Sequence, residues 1–538
     1  MPHARRLALA ALTGIVTGLV VAAFEAVTDA GFEAVLELPL AARAAMPLAG
    51  LVGSFALLRW VARGATPATA DEYIRAFHDE PTRHLDRRPI VGRLLASVMT
   101  LGTGGALGHE GPAIYAGAAV GDGVQRRARL GLDDAKVLLV AGAAAGVAAV
   151  FKAPVTGLVF ALEVPYQDDL ARRMLLPAAT ASAAGYVTFA AFAGTEPLLP
   201  VAGQPPFSLV DLGGAAAVGL GCGLLARCFA WLVARAKDVA SRRSLLVAVA
   251  AGVLLAAAAV AGWEVADRDV TLGAGYDAIR WALSADDMWL LAAVGSLRVV
   301  AILLTLGGGG VGGLFVPLVV QGAFVGQAVT IAFDPPSATL FPVLGIAAFL
   351  GAGYHVPLAA VVFVAELTGR PGFVVPGLIA AVVAQLAVGR ASVSPYQTAR
   401  RAGHLEGRLQ LPVAAIVDTE CRVVPSDATV EEAFWQHLVA TRTTAAPVVD
   451  RGRYVGLLVA DELHEVDREL WSTTLVGDVV RRDVPRVAPT STVGEAVQAT
   501  DRADVDRIAV CDGDRFVGIV RVADAVALGD LFDRTSET

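Results

Sequence analysis

The chain has 538 residues, 55% of them hydrophobic and only 17% charged, with a mean hydropathy of +0.61. A soluble chain carries about 25% charged residues, so this balance excludes a disordered protein and argues against a soluble enzyme. A net charge of −8 offers no basic surface for nucleic acid, and four cysteines (Cys222, Cys228, Cys421, Cys511) are too few for a disulfide scaffold and too scattered for zinc.

In chain order, the first feature is Arg5-Arg6 followed by an apolar run from Leu7 to Phe24. The run flows into Glu25 and Asp29 without a small-residue cleavage pattern, so it reads as a membrane helix with the arginines cytoplasmic. Further candidate spans are Met46–Val61, Met174–Phe192, Leu245–Trp263, Met288–Leu306, Gly313–Phe333 and Val374–Val388. A bilayer span needs roughly 20 apolar residues. Several of these runs are short or broken by Gly and Pro, as expected of a transporter or channel whose irregular backbone is covered by protein or lines a cavity.

Two motifs recur within this apolar part. Gly108-His109-Glu110-Gly111-Pro112 and its continuation to Gly121 line up with Gly313-Leu314-Phe315-Val316-Pro317 and its continuation to Gly326. Phe151-Lys152-Ala153-Pro154 up to Glu163 lines up with Tyr354-His355-Val356-Pro357 up to Glu366 at nearly the same spacing. The membrane part is therefore two related halves, an arrangement that puts a substrate site where the halves meet. Each Gly-x-x-x-Pro precedes an apolar helix. Its glycines permit close backbone approach, and the free N–H groups of the first turn, with the positive dipole end behind them, suit an anion. Glu110 lies within one such terminus, where its carboxylate would compete with the anion and protonation would release it.

After Gly403 the chain becomes charged. Between Leu411 and Phe532 it holds two copies of a strand, capped helix, strand, tight turn, strand unit, ending in Val455-Gly456-Leu457-Leu458 and Val517-Gly518-Ile519-Val520. The expected division is 1–402 membrane domain, 403–412 linker, 413–470 and 471–532 the paired units, and 533–538 tail.

These residues resemble the CLC family of chloride channels and chloride/proton exchangers over nearly the whole chain. The Gly-[Lys/Arg]-Glu-Gly-Pro motif of the family is similar to Gly108–Pro112, with His109 at the basic position, where it can titrate near neutral pH. The Gly-x-Phe-x-Pro motif is matched by Gly313, Phe315 and Pro317, with Leu314 and Val316 between them. Tyr396 matches the tyrosine whose hydroxyl reaches the central chloride. The C-terminal pair resembles a CBS tandem. The resemblance implies an all-α membrane domain of two inverted-repeat halves with broken helices, followed by an α+β CBS tandem. It also implies a homodimer with cytoplasmic CBS domains, chloride as bound ligand, no enzymatic activity, and no required cofactor or metal. Separately, with lysine only at Lys136, Lys152 and Lys237, the arginine bias suggests a high-GC bacterium and so the inner membrane.

Three departures shape the expectation. The family's Gly-Ser-Gly-Ile-Pro segment has its best counterpart in Arg63-Gly64-Ala65-Thr66-Pro67, where no hydroxyl falls on the serine position. This side of the site would then use backbone N–H groups or Thr66. The inner proton-accepting glutamate is replaced by Val164, which points to channel-like or weakly proton-coupled transport. The third departure is His109 itself. Glu163 and Glu366, at matching repeat positions, read as a structural pair or caps. Lys152 reads as a cavity or paired cation, and Arg298 as a structural partner. An acid six residues past the last glycine of each CBS unit, Glu462 and Asp524, leaves adenine-nucleotide binding open, although the usual hydroxyl residue is replaced by Val459 and Arg521. Rival readings are a proton-coupled chloride antiporter with another proton path, a fluoride carrier, a CBS-linked divalent-cation transporter and a nucleotide-sensing membrane protein.

Overall fold

The computed structural model describes residues 3–78, 85–128, 130, 132–196, 208–242, 244–333, 337–399, 411–503 and 505–521. The chain falls into two compact units, Met1–Arg401 and Ala402–Thr538.

The first unit is helical, and its helices come in two matching series. The first series is α1 (His3–Leu36), α2 (Leu40–Ala56, continued to Val61 by a wider turn), α3 (Ala70–His78), α4 (Arg87–Gly102), α5 (Glu110–Ala128), α6 (Leu132–Phe151), α7 (Pro154–Glu163) and α8 (Leu175–Ala193). The second is α9 (Leu209–Ser241), α10 (Leu245–Ala266), α11 (Tyr276–Leu283), α12 (Met288–Gly307), α13 (Phe315–Phe333), α14 (Leu340–Tyr354), α15 (Pro357–Thr368) and α16 (Val374–Val388). Short follows long in the same order in both, so the repeat seen in two motifs extends to every helix of the unit.

Among the described residues, eight helices are long and apolar enough to cross a membrane. The chain is a multi-pass membrane protein. One of them, α9, is absent from the sequence-based spans because Arg227 and Arg235 and frequent glycines interrupt its apolar run. α14 is buried along its whole length, as befits a helix that is apolar on every side.

The two halves pack by the same device. A Cβ on Gly117 of α5 would lie 2.0 Å from the Gly142 carbonyl oxygen of α6, and one on Gly322 of α13 would lie 2.2 Å from that of Gly345 on α14. Small residues let helix backbones touch where lipid supplies no hydrophobic drive. The halves also cap one another. The Glu163 carboxylate at the end of α7 accepts the Leu358 and Ala359 N–H groups at the start of α15 (3.1 and 2.9 Å). The Glu366 carboxylate on α15 accepts the Val155 and Thr156 N–H groups at the start of α7 (3.0 and 2.7 Å). Both helices begin with proline, and both are preceded by a left-handed residue, Lys152 and His355 (φ 53° each). The matched glutamates are thus reciprocal caps.

The second unit is one six-stranded sheet in the order β1-β2-β3-β6-β5-β4. Its strands are β1 (Val424–Pro425), β2 (Ala445–Asp450), β3 (Arg453–Val459), β4 (Arg486–Val487), β5 (Arg507–Asp512) and β6 (Arg515–Arg521). Each copy contributes three strands, β2 with β3 and β5 with β6 forming tight hairpins with equivalent registers. A Cβ on Gly456 or Gly518 would collide with the Arg481 or Asp418 carbonyl oxygen (2.3 and 2.4 Å). That close approach explains the glycine in each Val-Gly-hydrophobic motif.

Candidate functional site

The two Gly-x-x-x-Pro segments meet head to head. Gly108 and Gly313 form an isolated antiparallel bridge, Gly108 N–H donating to Gly313 O (3.0 Å) and Gly313 N–H to Gly108 O (2.7 Å). A Cβ on Gly111 would lie 2.8 Å from Gly313 Cα, so the two turns touch through backbone alone. This bridge brings the starts of α5 and α13 together with opposite chain directions, as an inverted repeat requires. Pro112 and Pro317 each sit in the first turn, where a missing N–H costs nothing.

Glu110 opens α5 but points across the bridge. It is 1% exposed, and its Oε1 accepts the N–H groups of Phe315 (2.6 Å) and Val316 (3.3 Å) at the start of α13. The carboxylate of one half therefore occupies the helix terminus of the other. Leu314 N–H faces the Tyr354 hydroxyl. With the bridge and the carboxylate in place, the N–H groups of Gly313, Phe315 and Val316 are all engaged. The Phe315 ring fixes this terminus by packing among Phe151, Phe363 and Phe160 (centroids 4.4, 4.9 and 5.3 Å). A small anion can take such donors only if the carboxylate leaves, and protonation removes the charge that holds it there.

A cavity lies on each side of the bridge. One, about 240 Å³, is lined by the start of α3, Gly313, Leu314, Tyr354 and Tyr396. The other, about 350 Å³, is lined by His109, Glu110, Val316, the start of α11 and one face of α1. Glu110 lines the second of them. His109 lies beside Asp29 (3.6 Å), edge-on to Phe24.

The remaining sequence-predicted residues are placed as follows. Tyr396 sits in a turn after α16, 43% exposed, on the first cavity. Thr66 and Pro67 line that cavity too, but the Thr66 hydroxyl and carbonyl are held by Arg93 (3.2 and 2.9 Å). Gly64 and Ala65 border a different pocket beside Leu58 and Ser244, away from the bridge. The backbone that approaches Gly313 from this side is Ala68–Asp71, further along the chain. Thr69 supplies the hydroxyl there, donating to Gly312 O (3.2 Å). Val164 is buried, and its carbonyl accepts from Gln397 (2.8 Å). Arg298 donates to four carbonyls between Val270 and Ala274. Lys152 Nζ bonds the Ala193 carbonyl (2.6 Å). In the second unit Glu462 pairs with Arg481 (3.4 Å); Asp524 lies outside the described residues.

Sequence reasoning missed Thr69 and Tyr354. The signal for Tyr354 was present: it is the repeat partner of Phe151, and a hydroxyl on only one of two equivalent aromatics marks a polar task.

The family model for voltage gated chloride channels matches residues 49–389, and that for CBS domains matches 413–468 and 476–528. The H(+)/Cl(−) exchange transporter ClcA of Salmonella arizonae is 29% identical over 413 residues, covering 71% of this chain and 84% of that protein. The fold is similar to that of a slow cyanobacterial Cl−/H+ antiporter (TM-score 0.63, 20% identity, 72% of this chain and 95% of that one). It is also similar to a CLC-type fluoride/proton antiporter (0.63, 23%, 74% and 98%) and a eukaryotic CLC transporter (0.61, 18%, 97% and 98%). The chain belongs to the voltage gated chloride channel family and carries a pair of CBS domains after its membrane part.

Proposed function

We propose that this protein carries chloride across the membrane, with Glu110 as a gate that competes with the anion for the start of α13. The observation that carries this reading is the bond from Phe315 N–H to Glu110 Oε1 (2.6 Å). Neutral N–H donors and helix dipoles attract an anion without a fixed cation, and so also let it leave. The Gly108–Pro112 and Gly313–Pro317 segments, with the Thr69 and Tyr396 hydroxyls, would line the path. We place the CBS pair in the cytoplasm of a bacterial inner membrane, and read the working unit as a homodimer with one path per chain. In the CBS pair, Glu462 and Asp524 are the acids that would meet the ribose of an adenine nucleotide.

Val164, buried at the position matched to the proton-accepting glutamate, supports passive or weakly proton-coupled flux, because valine cannot relay a proton. A second reading is proton-coupled exchange by another path, favoured by the exchange activity in the names of its relatives. Chloride efflux from liposomes with simultaneous pH recording separates the two. Proton movement in fixed ratio to chloride would establish exchange; chloride flux without it would establish the passive reading. In either case Glu110→Gln should mimic the protonated gate and flatten the pH dependence of flux. An unchanged pH response removes Glu110 from this role.

A further inference from the structure

The cavity that ends on Glu110 is acidic in an ordered way. α1 contributes Glu25, Asp29 and Glu33 to it, at a spacing of four that places them on one stripe. Glu33 is exposed, Asp29 and Glu25 half-buried, and Glu110 1% exposed. Solvent access thus falls stepwise toward the gate. Oε1 of Glu110 is held by N–H groups, but its Oε2 is buried with no partner among the described residues, as is Oε2 of Glu25.

Tyr276, the first residue of α11, lines the same cavity. Its hydroxyl is within electrostatic reach of Glu110, Glu25 and Asp29. Arg298 holds that tyrosine in place by clamping the carbonyls of the preceding loop, two of them at 2.6 and 2.7 Å. The other charged groups facing the cavity are His109 beside Asp29 and the Asp277–Arg280 pair of α11 (3.4 Å); Lys152, outside its lining, reaches Glu25 electrostatically. The balance is negative, which draws protons and repels chloride.

The repeat does not dictate this. At the 205-residue offset that separates Glu110 from Phe315, the partners of Glu25 and Asp29 on α9 are Ala230 and Ala234, and only Glu33 has an acidic partner, Asp238. Glu25 and Asp29, the two acids nearer the gate, thus have no acidic counterpart, while the first cavity holds Asp238 and the Asp71–Lys237 pair. Arg5 and Arg6 start α1, and 34 residues make a helix about 50 Å long. By the positive-inside rule the acids then face away from the cytoplasm.

We propose that the Glu25–Asp29–Glu33 stripe and the Tyr276 hydroxyl form a relay that delivers protons to Glu110 from the outer side. This rests on the reading of Glu110 as the gate. Protonated Glu25 gives its proton to the Tyr276 oxygen, or to a water beside it, while that group passes its own proton to Glu110 Oε2. At each step one O–H bond breaks and one forms. Glu25 is left as a carboxylate and is reprotonated along Asp29 and Glu33 from solvent. The net change is one proton moved from bulk water to Glu110.

The test uses the full chain in spheroplasts, where orientation is fixed, with isotopic chloride uptake measured as bath pH is stepped at clamped interior pH, and then the reverse. Glu25→Gln and Tyr276→Phe should slow acid activation from the bath by roughly tenfold, short of the ~100-fold expected for loss of a directly acting acid. Glu33→Gln should do less, and the response to interior pH should stay as in the wild type. An unchanged bath-pH response in both well-folded variants overturns the relay. So does a uniform rise in flux at every pH, which would make the stripe an electrostatic barrier to anions. If Glu110→Gln flattens the pH response while Glu25→Gln and Tyr276→Phe behave as wild type, the gate stands and the relay falls. If Glu110→Gln leaves the response unchanged, the gate reading itself fails.

Discussion

At the residue scale, the position of one carboxylate depends on its neighbours having no side chains. A Cβ added to Gly108 would meet three atoms first, all of the Glu110 carboxyl group, the nearest at 1.9 Å. Gly108→Ala should therefore expel the carboxylate from the start of α13 while disturbing little else. Under the proposed mechanism the variant conducts at high pH and loses most of its acid dependence, as chloride efflux between pH 5 and 8 would show. In a Glu110→Ala background the same change should add little, because the group it displaces is gone. A Gly108→Ala protein with wild-type pH dependence in the Glu110 background would disprove this account of the glycine.

At the element scale, the reciprocal caps of α7 and α15 hold the two halves in register. Each glutamate satisfies helix N–H groups that would otherwise be orphaned inside the protein. Glu163→Ala and Glu366→Ala should each destabilise the folded state by about 0.5–2 kcal/mol, with glutamine restoring part of the loss through its amide oxygen. Thermal unfolding in detergent measures this. Neither change should shift the pH dependence of flux; a shift on Glu163→Gln would assign that residue a proton role beyond capping. The same scale explains the missed site segment. Sequence matching chose Arg63–Pro67, but the chain between Arg63 and Thr69 is held by Arg93 through Thr66. The helix that reaches the bridge begins only at Ala70.

At the scale of the whole molecule, the chain divides into two compact units, each with a hydrophobic core of its own. In the CBS pair Arg507 is 5% exposed and bonded twice by Asp506 (2.8 and 2.7 Å). That hydrogen-bonded partner holds the Asp506 carboxyl below its usual value of 3.8. A depressed carboxylate contributes stability that is complete above the unfolded value and is lost as pH falls through the folded one. Acid should therefore loosen the Arg507–Asp512 strand first below about pH 4, seen as faster backbone hydrogen exchange there. Asp506→Asn should cost only about 1 kcal/mol at neutral pH, because Asp506 itself is half exposed. Exchange in residues 445–521 that is indifferent to pH would count against this.

The sequence by itself determined the membrane class, the two related halves, the CBS pair and the glutamate in the first motif. These are written in local composition and in residues that recur at one spacing. Only the tertiary structure decided which groups meet. The Glu110 carboxylate reaches N–H groups of a helix 205 residues away, the matched glutamates cap across the halves, and acids of α1 share a cavity with Tyr276. Such encounters depend on how the halves invert and pack, and no periodicity along a single helix encodes the neighbour it will face.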